Sequence, residues 1–210
     1  MSEAYVAEII EASTTQFRAE CRTVHEPPPL GSFVKVYPPG GAGSPEIDPF
    51  SPSLAQDGVV FGLVIEAVTG SLDPNRRPAA FGLDEDSLRL EQPQITELLS
   101  TTFTARLVGH IASGRAAAYL PDKPPMLHSR VFPCAEAEVR AVTDRLDYVR
   151  SVLDAPDRYA VDEVIAASLR AACTARAGDR EYLIRAGKEL ALMLRDDYDR
   201  LQGILRRLAA

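Results

Sequence analysis

The fold of this chain is decided by Gly31-Ser-Phe-Val-Lys-Val36 and by Gly58-Val-Val-Phe-Gly-Leu-Val-Ile-Glu-Ala-Val68. Both stretches are rich in the β-branched and aromatic residues that favour strands, and a loop rich in proline and glycine separates them. The second stretch is apolar almost throughout, which is typical of a strand buried on both sides or bent around a barrel, with Gly62 easing the bend. Together they predict the start of a small closed β-barrel.

Two segments before these stretches have the pattern of a strand pair. Residues 4–11 are rich in β-branched residues, and residues 14–21 alternate between polar and apolar side chains. Ala12-Ser13 would form the tight turn between them. A period of two predicts that one face of the second strand buries Phe17, Ala19 and Cys21.

The middle of the chain alternates between turns and further strands. Residues 69–91 are polar and carry turn signals such as Asp73-Pro74. Residues 93–100 open on a proline and predict a short helix that buries Ile95, Leu98 and Leu99. Three more strands are predicted, at residues 101–111, 116–120 and 129–132.

The composition changes sharply near Cys134. Fifteen of the 16 prolines and ten of the 13 glycines precede it, whereas the remainder is dense in Ala, Leu, Arg, Asp and Glu. This change from helix breakers to helix formers predicts an α+β protein with two domains: a β domain over residues 1–134 and a helical domain over residues 135–210. About three helices are expected, at residues 135–153, 161–175 and 180–208.

The last predicted helix carries an apolar stripe. Its members recur at spacings of three and four: Leu183, Gly187, Leu190, Leu194, Tyr198, Leu201, Leu205 and Leu208. Such a stripe is more often the core of a helical bundle than an oligomerisation seam, although a helix of this length could serve both purposes.

Composition and charge exclude several classes of protein. The formal charge of −7 argues against direct nucleic-acid binding, which depends on clustered Lys and Arg. The sequence has no signal-peptide pattern and no apolar run long enough to span a bilayer. The three cysteines are far apart and lack metal-ligand spacing, as is typical of a reducing compartment. We therefore expect a cytoplasmic protein that does not enter membranes.

The sequence offers few candidates for chemistry. Gly40-Gly-Ala-Gly-Ser44 is the only glycine-rich loop, and Pro45 follows it instead of the Gly-Lys-Ser/Thr ending of a phosphate-binding loop. His25, His110 and His128 share no metal-ligand spacing, and His110 is expected to be a structural or rim residue. No nucleophile signature is present.

Other reactive or charged residues have ordinary structural explanations. Cys21 and Cys173 fall on apolar faces and are expected to be buried, and a packing role is also favoured for Cys134. Asp84-Glu85-Asp86 is expected to be a solvated turn, and Arg206-Arg207 suits the negative end of a helix. We therefore predict no catalytic, cofactor-binding or metal-binding residues.

Residues 4–134 resemble the HAS-barrel, the small β-barrel at the N-termini of HerA-type DNA translocases and of rotary ATP synthase catalytic subunits. The strand pair around Thr14-Thr-Gln-Phe17 comes first, followed by Leu30-Gly-Ser-Phe-Val-Lys-Val36 and Val60-Phe-Gly-Leu-Val-Ile65. Finally, Leu120-Pro-Asp-Lys-Pro-Pro125 and Ser129-Arg-Val-Phe132 resemble the proline turn and the strand that close the family's barrel.

The resemblance implies assembly rather than catalysis. In HerA-type proteins the barrel precedes an ATPase domain with a phosphate-binding loop, whereas this chain has no such motif and ends after its helical segment. We therefore expect a non-enzymatic assembly or adaptor protein, acting by self-assembly or on a HerA-type hexameric P-loop ATPase involved in DNA processing. One alternative is an enzyme whose site gathers His110, His128 and Asp122, and another is an OB-like nucleic-acid-binding barrel.

Overall fold

The structure is a computed structural model that describes residues 4–39, 57–73, 80–91, 98–154 and 160–208. Within these residues the chain forms seven strands followed, with one exception, by the helices. The strands are Ala7–Ala12 (β1), Gln16–Cys21 (β2), Phe33–Val36 (β3), Val60–Ser71 (β4), Leu99–Ala112 (β5), Arg115–Ala117 (β6) and Arg130–Pro133 (β7).

Six of the described strands close a barrel. They follow one another around it in the order β1-β2-β5-β4-β3-β7, and every neighbouring pair is antiparallel. The pairing of β2 with β5 and of β7 with β1 closes the ring, while β6 lies outside it as a hairpin partner of β5. The predicted closed barrel is therefore confirmed.

Apolar side chains fill the barrel interior. The predicted inward face of β2 is confirmed, since its three apolar side chains are buried there. A register shift between Phe61 and Gly62 bends β4. Gly62 is also closely packed, because a Cβ atom there would lie 3.0 Å from the Phe17 ring and 3.0 Å from the Cβ of Ala105. The other large interior side chains are Ile9, Val34, Val36, Val60, Val64, Phe103, Leu107 and Val131.

The first half of β4 is buried on both faces, as its apolar run predicts, and all of β3 is buried on both faces as well. On the outer face Phe33, Phe61 and Leu63 join the helices in one apolar core, to which β5 adds Val108 and Ile111. The helices therefore pack directly on this side of the barrel.

Six helices lie in the described residues. Only the first precedes Cys134. They are Glu85–Glu91 (α1), Glu136–Thr143 (α2), Asp147–Leu153 (α3), Val161–Thr174 (α4), Arg180–Met193 (α5) and Tyr198–Leu208 (α6).

The predicted single helix over residues 180–208 is wrong, because the chain breaks between α5 and α6. The Asp197 carboxylate accepts the backbone N–H of Arg200 at 3.2 Å, and its carbonyl oxygen accepts the N–H of Leu201. Asp197 thus starts a new helix. The predicted stripe is interrupted as well, since Leu190 and Leu201 are buried but Tyr198 is exposed. The predicted helix over residues 135–153 is likewise divided into α2 and α3.

Helix α1 corrects the predicted solvated turn at residues 84–86. The carboxylate of Asp84 accepts both the N–H and the hydroxyl of Ser87 at 2.9 Å, so Asp84 caps the helix that begins at the next residue. These hydrogen bonds lower the pKa of Asp84. Strand β4 is also longer than predicted, since it continues past Val68 to Ser71.

Two sequence predictions fall partly or wholly outside the described residues. Most of the predicted helix over residues 93–100 lies there, but Leu99 and Ser100 belong to β5 and not to a helix. Most of the proline-rich loop over residues 38–52 also lies outside them. In the part of the chain that the structure describes, every helix is too short or too polar to cross a bilayer.

A buried ion pair joins the barrel to helix α2. Lys35 faces outward from β3, yet only 2% of its side chain is exposed. Its ammonium group lies 2.8 and 2.9 Å from the two carboxylate oxygens of Glu138. Glu138 also accepts the backbone N–H of Ala135 at 2.7 Å, so the carboxylate that neutralises Lys35 also caps α2.

Gly31 is the point of closest approach between the barrel and helix α4. It has a φ of 76°, and a Cβ atom there would lie 2.4 Å from that of Ala167 and 2.7 Å from the backbone nitrogen of Ser168. Both the backbone conformation and the contact therefore require glycine.

Gly31→Ala is expected to lower the free energy of unfolding by about 2–4 kcal/mol, because left-handed strain and overpacking against α4 add together. Gly178→Ala is the matched control. Gly178 has a φ of 80° with no heavy atom within 4 Å of an added Cβ. The Gly178→Ala variant should lose only about 1–2 kcal/mol of its free energy of unfolding, from backbone strain alone. Urea unfolding measures both, and equal losses would contradict the tight contact.

Lys35→Met is expected to destabilise the protein by about 3–5 kcal/mol, because it leaves the Glu138 carboxylate largely buried without its cation. Adding Glu138→Met should recover part of this loss, since the double variant buries no charge. A double-mutant cycle in urea provides the measurement. Strictly additive losses would show that the two side chains are not coupled.

Candidate functional site

His110, His128 and Asp122, which an enzyme site would have to bring together, lie in separate surroundings. Nδ1 of His110 lies 3.1 Å from the carbonyl oxygen of Tyr119, and the two rings stack edge to face with centroids 4.8 Å apart. Nδ1 of His128 instead lies 2.7 Å from a carboxylate oxygen of Glu8 on β1. Asp122 is exposed in the loop between β6 and β7. His110 thus holds a loop segment, as expected of a rim residue.

The remaining candidates also have structural surroundings. His25 has a φ of 67°, and its backbone N–H donates to the hydroxyl of Thr101 at 2.8 Å. The glycine-rich loop Gly40-Gly-Ala-Gly-Ser44 lies outside the described residues. Within the described ranges, no three His, Cys, Asp or Glu side chains are grouped as a metal site would require.

Arg207 binds helix α6 to helix α4. Its guanidinium donates to the Gly203 carbonyl oxygen at 2.8 Å and to the carboxylate of Glu163. A second link between these helices joins Arg200 to Asp162 at 2.7 Å. The basic C-terminal end of α6 therefore has a packing role in addition to its place at the negative end of the helix.

Cys21 and Cys173 carry free thiols. Cys21 and Cys173 are buried, as the sequence predicts, and Cys134 is half-buried. Burial, with a smaller contribution from the charge of Glu20, raises the pKa of Cys21 from 9.0 to about 11. A thiol with so high a pKa is a poor nucleophile at neutral pH.

An open cleft of about 1140 Å³ lies between the β5–β6 hairpin and helix α2. Its floor is made of small and apolar residues, namely Ala116, Ala117 and Ala118 of the hairpin side and Ala137, Ala141 and Val142 of α2. Four arginines line it (Arg115, Arg140, Arg145 and Arg176), together with the single carboxylate of Asp144. A chain with a net charge of −7 therefore presents a positively charged cleft at this position.

Arg176 is the fixed member of this arginine group. Its guanidinium donates to the Thr143 hydroxyl at 2.8 Å and to the carbonyl oxygens of Ala172 and Arg140 at 3.0 and 2.8 Å. It also lies 4.1 Å from the ring centroid of Tyr182, whose pKa burial raises. Arg176 thus links the end of α4 to α2 by hydrogen bonds and lines the cleft where these helices meet.

Arg140 is held more loosely. One nitrogen of its guanidinium donates to the carbonyl oxygen of Ala175 at 2.6 Å. The same nitrogen lies 3.6 Å from the carboxylate of Glu136, one turn earlier on α2. This pair is largely exposed, and exposed ion pairs contribute little, so Arg140 can exchange Glu136 for another carboxylate.

Arg115 and Arg145 form the open rim of the cleft. Arg145 pairs with Asp147 at 2.9 Å on the surface. Arg115 is exposed, and its side chain has no ion pair or hydrogen bond in the described part of the chain. The carboxylate of Asp57 accepts the backbone N–H of Gly114 at 2.7 Å and fixes the hairpin beside Arg115.

Sequence reasoning missed this cleft because its walls come from three distant segments. Arg115 belongs to β6, Arg140 to α2, and Arg176 follows α4. No run of basic residues signals it. The only local signs are the alanine-rich segments around residues 116–118 and 135–141, which resemble ordinary helix or loop sequence.

A second feature missed by the sequence is a stack of cations and aromatic rings on the barrel. The guanidinium carbons of Arg22 and Arg130 lie 4.4 and 4.9 Å from the ring centroid of Tyr5. Tyr5 in turn packs edge to face on Phe132, and Phe132 on Tyr37. Basic and aromatic side chains from just before β1, just after β2 and just after β3 therefore meet those of β7, which the sequence of any single strand does not reveal.

Comparison with known proteins adds no family to this description. The chain matches no protein-family model and none of the curated proteins with which it was compared. Its function is therefore argued from the barrel and the surfaces described above.

Cys21 is expected to resist alkylation in the folded protein. At about pH 8 a pKa near 11 leaves about a hundredfold less thiolate than a pKa of 9.0 does, and burial adds to the protection. Brief iodoacetamide treatment followed by peptide mass spectrometry should label the half-buried Cys134 well before Cys21. Equal labelling, with unfolded protein as the reference, would contradict the buried environment of Cys21.

Proposed function

We propose that this protein is a non-enzymatic assembly or adaptor protein whose barrel docks on another protein, with a HerA-type hexameric P-loop ATPase as the partner. The observation that carries the proposal is the closed six-stranded barrel with an interior filled by apolar side chains. A barrel that is full has no room for a ligand in its centre, so it acts through its outer surface. Supporting it is the resemblance of residues 4–134 to the HAS-barrel.

The β1–β2 side of the barrel is the surface available for docking. Helices cover the outer face of β3 and of the first half of β4, whereas the outward residues of β1 and β2 carry mixed charges around one exposed apolar side chain, Ile10. Arg18 on this face donates to the hydroxyl of Thr102 on β5 at 3.0 Å, which holds its guanidinium flat on the sheet. A central apolar residue with a polar rim is the common arrangement of a protein interface.

Nucleic-acid binding is a second candidate, favoured by the stack of Arg22, Tyr5 and Arg130. Arginine and tyrosine side chains on a small barrel are the groups that bind single strands. Two facts weigh against it: Tyr5 is half-buried with both arginines already on its ring, and the protein is acidic.

The test mixes purified protein with the purified HerA-type ATPase of the same genome and measures mass by light scattering. We expect one complex of fixed stoichiometry. Ile10→Arg should weaken it by about tenfold or more, because a buried, unpaired charge would lie in the interface. Ile184→Arg on α5 is the matched control, since Ile184 is exposed to a similar degree, 52% against 43% for Ile10.

Two results would contradict the proposal. One is the absence of any complex with the ATPase at micromolar concentrations. The other is salt-sensitive binding of a single-stranded oligonucleotide that Arg22→Ala abolishes, which would favour the nucleic-acid candidate.

A further inference from the structure

We infer that the cleft between the β5–β6 hairpin and helix α2 binds an acidic amphipathic helix of a partner protein. This site is separate from the β1–β2 side of the barrel, and the inference does not depend on the identity of the ATPase. Three properties of the cleft carry it: the small side chains of its floor, the charge of its rim and the freedom of that rim to change partners.

The floor of the cleft admits close approach of another chain. Ala137 and Ala141 are one turn apart on α2 and so lie on the same face, which is turned toward the exposed Ala116 and Ala118. A surface of methyl groups lets the backbone of a second helix come near, and it buries apolar side chains from that helix. At about 1140 Å³ the cleft exceeds the usual size of a small-molecule site.

The rim selects negative charge. Four arginines face one aspartate around this floor, although the protein as a whole carries more acidic than basic residues. Arginine binds carboxylates in a bidentate manner, and complementary potentials at a rim steer association and set specificity. An occupant with an apolar stripe and flanking Glu or Asp side chains therefore fits both the floor and the rim.

The rim arginines can change partners at little cost. Arg115 has no partner in the described residues, and the pairs of Arg140 with Glu136 and Arg145 with Asp147 are exposed. Exposed pairs are worth little, so carboxylates of an incoming helix can replace them. The exposed ring of Tyr119, which His110 holds in place, adds an aromatic anchor of the type that is enriched at interfaces.

The experiment uses the full chain and a fluorescein-labelled peptide of about five helical turns, with leucines along one face and glutamates beside them. We expect binding in the micromolar range by fluorescence anisotropy, weakened when salt screens the rim charges. A peptide in which lysine replaces every glutamate should bind at least tenfold more weakly, about 1.4 kcal/mol. So should a peptide of the same composition without the apolar stripe.

Charge reversal at the rim tests the arginines. The double variant Arg115→Glu/Arg145→Glu should weaken acidic-peptide binding by about tenfold or more. Arg195→Glu is the control, because Arg195 is as exposed as Arg145 (80% against 79%) and also pairs with a nearby aspartate, but lies outside the cleft. Arg176 is left intact because it supports the fold.

A second pair of variants tests the floor without changing charge. Ala137→Leu should fill the floor and weaken binding, whereas Ala191→Leu on the exposed side of α5 should have no effect. Circular dichroism and urea unfolding confirm that each variant is folded, so that weaker binding reflects the cleft itself.

Several outcomes would overturn the inference. They are no binding of the acidic peptide, equal binding of the lysine peptide, or binding that neither the rim nor the floor variants change. Self-association that Arg115→Glu/Arg145→Glu removes would show that a second copy of this chain fills the cleft instead. Complete competition by inorganic phosphate at millimolar concentration would reduce the cleft to a simple anion site. None of these outcomes bears on the ATPase complex, which Ile10→Arg tests separately.

Discussion

Strand β3 and the first half of β4 are buried on both faces, and the rest of the structure depends on covering the outer face. Inside the barrel Val34 and Val64 meet the other strands, and outside it Phe33 and Phe61 meet the helices, so each strand belongs to two cores. A barrel alone would leave this outer face in water, which is unfavourable for so much apolar area. The helices are therefore part of the folded barrel unit.

Lys35 is a charged residue on this otherwise apolar, covered face. It lies on the covered face of β3, where an unpaired ammonium group would be strongly destabilising. Glu138 neutralises it and at the same time caps α2, so the orientation of α2 is fixed where it leaves the barrel. A charged pair restricts the possible dockings more than apolar contacts do, because it tolerates only one arrangement of the two elements. The position of α2, and with it one wall of the cleft, follows from this pair.

Local patterns in the sequence predicted the strands well but not the helix ends or the cleft. Alternation placed Phe17 inside the barrel, and the apolar run of β4 indicated burial on both faces, because both signals are local. The break at Asp197 was missed because a capping aspartate resembles an ordinary surface residue. The break before Asp147 was missed because no capping side chain marks it in the sequence. The cleft depends on β6, α2 and the end of α4 meeting in space, which no single segment encodes.

The packing that completes the core also determines which surfaces remain exposed. The helices cover the outer face of β3 and of the first half of β4, whereas the β1–β2 side around Ile10 is exposed. The β5–β6 hairpin extends past the barrel toward α2 without filling the space between them, since its facing residues are alanines. Larger side chains there would have sealed the apolar core more completely. Alanines on both walls, with arginines around them, instead keep an open, positively charged cleft in an acidic protein. A binding surface requires such an open arrangement, whereas a packing interface does not.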